Sequence, residues 1–178
     1  MTHVRSDRAE AATDRPVITR VGPFVDRDAW TAQGWCRIER ALELVGTRSA
    51  MILIREAFYG GRRFEELTRR TGLSEAVAAK RLKQLVEDGL MTQRPYREPG
   101  SRTRQEYVLT DRGRSLFPVV VALMNWGAGL DGPTGGVELV HADCGEPVAA
   151  AVRCAAGHDV TIEDTRARLT GSRDRSRR

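Results

Sequence analysis

Apolar residues recur at helical spacing over residues 36–86, alternate over 90–109, and return to helical spacing over 111–126. Within 36–45, Ile38, Ala41, Leu42 and Val45 fall three, four and seven residues apart, which predicts an amphipathic helix stopped by Gly46. Thr47 is a natural cap for a second helix, Arg48–Phe58, with Met51, Ile52, Leu53 and Ala57 turned inward and Gly60-Gly61 as its close. Residues 64–70 form a short third helix with Phe64 and Leu67 on one side. Gly72 breaks it, because glycine takes the left-handed conformation that ends a helix. Ser74 then offers an oxygen to the orphan amides of a fourth helix, and Glu75 suits its positive end.

On that fourth helix Ala78, Leu82 and Leu85 make an apolar stripe, while Ala76, Lys80 and Lys83 fall opposite, with Ala79 at the edge. Helix, glycine turn, helix is the layout of a DNA-binding helix-turn-helix, which places the N-terminal half of its second helix in a major groove. In that geometry Lys80 and Lys83 occupy the groove face and Arg81 reaches a phosphate from its edge. Ala76 and Ala79 allow close approach and contact with thymine methyls. After Gly89 the alternation predicts strands at 90–94 and 102–109, joined by the turn Glu98-Pro99-Gly100-Ser101. A hairpin directly after a recognition helix is a wing. Arg94, Arg97, Arg102 and Arg104 lie on or beside it, placed to reach phosphates or a narrow minor groove.

Thr110 caps one last long helix, 111–126, with Leu116, Val119, Val120, Leu123 and Met124 on a broad apolar face and Phe117 and Val121 beside it. That is more apolar surface than a small domain's terminal helix buries alone, so it predicts a homodimer formed with helix 36–45. The fold class expected is mainly α with a small β-hairpin wing, that is, a winged helix-turn-helix with a small C-terminal β extension. The domain plan follows: a disordered tail and arm over 1–35, the winged helix over 36–134, and an extension over 135–178. The extension holds a hairpin of 137–141 with 148–154 and ends in a disordered basic tail, while 127–136 reads as a flexible linker.

Charge sharpens the picture. The net charge of +5 is moderate, but residues 94–104 carry four arginines against one glutamate, and 168–178 five against one aspartate. Clustered cations suit a polyanion. No apolar run is long enough for a membrane span and the N-terminus lacks a signal-peptide core, so a cytoplasmic protein is expected. Three cysteines, Cys36, Cys144 and Cys154, do not suggest a disulfide framework. His141 with Cys144, and Cys154 with His158, are pairs whose spacing could close a zinc site, against which Gly157 stands where a second cysteine would be expected. The sequence leaves the metal open. No catalytic constellation is visible, so neither an enzyme nor an organic cofactor is expected.

The stretch CRIERALELVGTRSAMILIREAFYGGRRFEELTRRTGLSEAVAAKRLKQLVEDGL, followed by EYVLTDRGRSLFPVVVALMNWG, resembles the HxlR-type family of winged helix-turn-helix regulators. The resemblance rests on a cysteine before an amphipathic helix, RRFEEL, the spacing LS…RLKQL…DGL, and Tyr-x-Leu-Thr-x-x-Gly. It implies a cytosolic homodimeric transcriptional regulator, with repression the commoner role, on a pseudo-palindromic double-stranded operator. It also implies a small-molecule or oxidant effector, with Cys36 matching a cysteine that some members use to sense oxidants. A helix N-terminus favours the thiolate form, and Arg37 adds to that. Arg48-Ser49 departs from the Lys-Trp pair usual in the family, and Ala78 from a larger aliphatic. The other class of function open to this sequence is a winged-helix protein-interaction module without DNA binding.

Overall fold

The computed structural model describes residues 18–28, 31, 36–100, 102–130 and 136–170. Of the tail and arm expected over 1–35 only 18–28 and 31 are among these residues; the expected disordered C-terminal tail lies outside them except for Thr170, as do 131–135 of the expected linker. In chain order the elements are β1 (Thr19–Arg20), a 3-10 turn Gly22–Val25, α1 (Arg37–Val45), α2 (Arg48–Phe58), α3 (Phe64–Thr71), α4 (Glu75–Glu87), β2 (Met91–Tyr96), β3 (Arg104–Leu109), α5 (Asp111–Arg114), α6 (Phe117–Ala128) and β4 (Arg166–Ala167). They fall into two units, one within 33–150 and the other joining 1–32 to 151–178.

The larger unit is a winged helix, and its local punctuation follows from side-chain chemistry. Thr47 Oγ1 accepts from the Ala50 amide at 3.2 Å, Ser74 Oγ from Val77 at 3.4 Å, and Thr110 Oγ1 from Gly113 at 3.1 Å. Each cap satisfies an orphan donor of the first helical turn. Gly72 ends α3 with φ +66, a conformation in which a side chain is strained. Leu53, Ile54, Leu67, Leu82, Leu85 and Met91 are fully buried and form the heart of the core. Phe64, Tyr107, Leu109, Leu116 and Met124 pack around it. Ala78, Leu82 and Leu85 are buried together, as their spacing requires. Inside α2 the buried positions are Ala50, Leu53, Ile54 and Glu56, while Met51 and Ile52 are half-buried.

Glu56 is a carboxylate inside this core. Its oxygens lie 3.7 Å from Arg55 Nη2 and 3.6 Å from Arg70 Nε. The second contact fixes α3 on α2, and an unpaired charge there would be costly. The wing is antiparallel, pairing Met91 with Leu109 through Tyr96 with Arg104. Gly100 turns at φ +77 after Pro99. Pro95 is tolerated inside β2 because a two-stranded sheet has only edges.

The continuous helix expected over 111–126 is instead two. Asp111–Arg114 stops at Ser115-Leu116 and a new helix starts at Phe117, with Pro118 in its first turn. The proline has no amide to give and its ring would strike the carbonyl of Arg114, so the helix restarts where that missing donor is harmless. α6 is apolar on three sides. Val120 is buried in the winged-helix core, with Leu116 and Met124 partly so. Val121, Met124 and Ala128 line a small cavity of about 130 Å³ beneath Val137, Leu139 and Val148. Asn125 pins that segment, its amide donating to Val148 O at 3.2 Å and its carbonyl accepting from Ala150 N at 2.8 Å. Val119, Leu123 and Trp126 remain exposed. On α1 only Val45 is buried, and the stripe residues Ile38 and Leu42 stand 70% and 56% exposed.

Part of the extension therefore belongs with the winged helix. A bridge joins Val140 to Pro147, as the expected hairpin turn across 143–147 requires. The second arm of that hairpin does not pair with 137–141 beyond Val148, whose amide donates to Leu139 O at 2.8 Å. In the smaller unit a separate bend joins Arg153 to Asp159. There β1 runs parallel to β4, pairing Thr19 with Arg166 and Arg20 with Ala167. Val21 N adds a 2.9 Å bond to Ala167 O.

Candidate nucleic-acid interface

α4 presents Ala76, Lys80 and Lys83 as exposed residues on the side away from its buried stripe, with Val77 and Ala79 exposed on its two flanks. Ser74 is exposed, but its hydroxyl is occupied by the cap to Val77. Lys83 Nζ lies 3.7 Å from Glu87 Oε1, a solvated pair that costs little to break. Arg81 is half-buried and its Nε donates to Ser49 Oγ at 3.3 Å, so it is directed toward the start of α2. Ser49 is the residue in place of the family's tryptophan, and the smaller side chain leaves a polar partner there.

The wing is held against the start of α3 by alternating charge. Arg104 Nη1 lies 3.3 Å from Glu65 Oε1, Arg63 Nη2 2.7 Å from Glu98 Oε1, and Arg62 Nη1 3.9 Å from Glu106 Oε1. The Arg63 guanidinium also sits 4.9 Å from the Tyr96 ring centre. Tyr107 N donates to Arg62 O at 2.8 Å, and Arg63 bridges Glu106, so the residues before α3 run alongside β3. The resulting open cleft of about 420 Å³ is lined by Arg63, Glu65, Glu66, Arg69, Tyr96 and Arg104. Arg94, Arg97 and Arg102 are exposed, with Arg94 opposite Glu106 in the ladder. Arg62 and Arg63 are cations that the reading of the sequence passed over; their place just before the Phe64-Glu65-Glu66 helix start, beside a wing, was the available signal.

Cys36 is a free, half-buried thiol at the cap position of α1, making no capping bond through its side chain. His141 Nδ1 lies 3.2 Å from Cys144 Sγ within the first bend of the extension. In the second bend Cys154 N donates to His158 O at 3.0 Å. The two pairs belong to different units. Among the described residues no three His, Cys, Asp or Glu side chains are grouped to hold a metal ion. No helix among them is long and apolar enough to cross a membrane.

Capped helices in a helix-turn-helix, followed by an arginine-bearing hairpin, define a winged helix-turn-helix regulator. Residues 44–133 match the family model described as HxlR-like helix-turn-helix, and the chain belongs to that family of transcriptional regulators. It is 42% identical over 132 residues to the HTH-type transcriptional regulator Rv3095 of Mycobacterium tuberculosis, covering 71% of this chain and 81% of that one. The crystal structure of PA1607, a candidate transcription factor, superposes with a TM-score of 0.68 at 40% identity, covering 80% of this chain and 97% of that one. The redox regulator HypR in its oxidised form superposes at 0.50 with 27% identity, over 55% of this chain and all (100%) of that one.

Proposed function

We propose that this regulator is a homodimeric, sequence-specific DNA-binding repressor acting in the cytoplasm on a pseudo-palindromic operator. α4 enters the major groove, with Lys80 and Lys83 facing base edges and phosphates, and the wing arginines hold the backbone or minor groove. The observation that carries this reading is the exposed face of α4, small and basic, on a helix whose opposite face is locked into the core. Arg102 is expected to contribute one phosphate contact. Arg102→Ala then weakens binding to all duplexes alike and lowers the slope of log affinity against log salt by about one. Titrations of wild type and variant at several salt concentrations measure both; an unchanged slope removes Arg102 from the interface.

The dimer reading is supported by α1 and α6, which leave Ile38, Leu42, Leu123 and Trp126 uncovered. For the effector, we propose an oxidant acting at Cys36. Its support is the position of this thiol at the start of an exposed α1 and the likeness to HypR, a redox regulator. Diamide is expected to change operator affinity of the wild type several-fold, on the order of 1 kcal/mol of coupling, and to leave Cys36→Ser unaffected. Equal responses of the two proteins would dismiss Cys36 as the sensor.

A further inference from the structure

From α2 through the wing, Val77 is the one large hydrophobic residue exposed among the described residues, with 45% of its surface open. It lies on α4, in the first turn, where recognition helices meet base edges. Its own amide is spent on the Ser74 cap, which fixes the backbone beneath the side chain. Burial in the core does not explain it: the core side of α4 is taken by Ala78, Leu82 and Leu85. Helix preference does not explain it either, since a β-branched residue is a poorer helix former than its alanine neighbours.

The surrounding chemistry is just as selective. Val77 shares a stripe with Lys80 and Gln84, three and seven residues on. Gln84 is engaged, its Nε2 donating to Asp88 Oδ1 at 3.0 Å. The exposed first half of α4 therefore offers Glu75 at its start, the small apolar side chains of Ala76, Val77 and Ala79, and one basic reader, Lys80. A surface of methyl groups cannot exchange hydrogen bonds with bases. In the major groove its complement is the C5-methyl of thymine, the one apolar group that B-DNA displays there.

We propose that Val77 is a specificity-determining residue that packs against a thymine C5-methyl in each operator half-site. The inference rests on the DNA-binding reading above. Its two γ-methyls have one fixed χ1 in a helix, so they form a preset apolar surface that need not be ordered on binding.

The test uses the full chain and the tightest duplex that the wild type recovers from a randomised pool. Each thymine of that duplex is replaced in turn by uracil, which removes the C5-methyl and keeps every base pair. Wild type is expected to lose affinity about four-fold at one thymine of each half-site, the size of one buried methyl group. Val77→Ala is expected to bind the thymine and uracil duplexes equally, and Val77→Thr, which keeps one methyl in the same rotamer, to retain part of the difference. Alanine is the better helix former, so the variant folds. The proposal fails if wild type is indifferent to every uracil, or if Val77→Ala keeps the full uracil penalty. Both of those results leave DNA binding intact. Failure to recover any duplex above the unselected pool would overturn the DNA-binding reading itself, and this inference with it.

Discussion

Glutamate at both Leu123 and Trp126 is expected to yield a folded monomer that no longer holds its operator. Neither side chain supports the core: Leu123 is 48% and Trp126 69% exposed, while the same helix is anchored through Val120 and Val121. Thermal unfolding should therefore move little. Association is another matter. Central leucine and tryptophan anchors of an interface each contribute on the order of 2 kcal/mol, and two together weaken a dimer about a thousand-fold. A charge placed in that contact adds a desolvation cost. Operator affinity follows, because a monomer engages one half-site and loses the gain from linking two. Sedimentation and duplex titration measure the two effects. A variant that stays dimeric places the interface elsewhere on the molecule.

Gly113→Ala is expected to destabilise the winged helix strongly. A Cβ at this position would run into the carbonyl oxygen of Leu90, with Leu109 Cδ2 a further 3.1 Å contact. That carbonyl has nowhere to go. It accepts from Thr110 N at 3.1 Å and from Thr110 Oγ1 at 3.2 Å, and Thr110 also caps the helix through Gly113 N. Moving α5 aside breaks the cap, and moving Leu90 disturbs a core residue that begins the wing. Overpacking against fixed backbone costs about 3 kcal/mol. For a unit of this size that lowers the melting temperature by roughly 10 °C. Ser115→Ala, two residues on and exposed, is the control: it loses only a local bond to Arg112 O at 2.7 Å. Equal melting points for Gly113→Ala and wild type would mean that α5 sits loosely on Leu90.

The same residue shows how a helix cap can be legible while its tertiary reason is not. Thr110 as a cap follows from its chemistry and from the periodicity after it. That Gly113 is glycine for the sake of Leu90, more than twenty residues earlier in the chain, has no local signature. Helix α6 divides in the same way. Its apolar character was plain from 116–124, but periodicity does not say which stripe faces which neighbour when every stripe is apolar. The break at Ser115-Leu116 was readable in principle from Pro118, whose effect on the residues before it is steric and local.

For the candidate interface, residue type and spacing sufficed to separate the buried stripe of α4 from its basic side. They did not reveal that Arg81 turns to Ser49, or that Arg104 meets Glu65 and Arg63 meets Glu98. Ion pairs between elements depend on where the wing lies on α3, and charges at such separations leave no periodic trace. Val77 went unremarked for a related reason: spacing puts it beside the buried stripe, but whether a neighbouring element covers that flank is decided by packing, which leaves 45% of it open.

By itself the sequence determined helices α1 to α4, the caps at Thr47, Ser74 and Thr110, the wing and the family, because these depend on contacts within a few residues. Only the tertiary structure decided that residues 19–21 pair with 166–167, that 137–150 lies on α6, and which cations of the wing are already engaged. Those arrangements are made by segments distant in the chain, and their pairing energy belongs to neither segment alone.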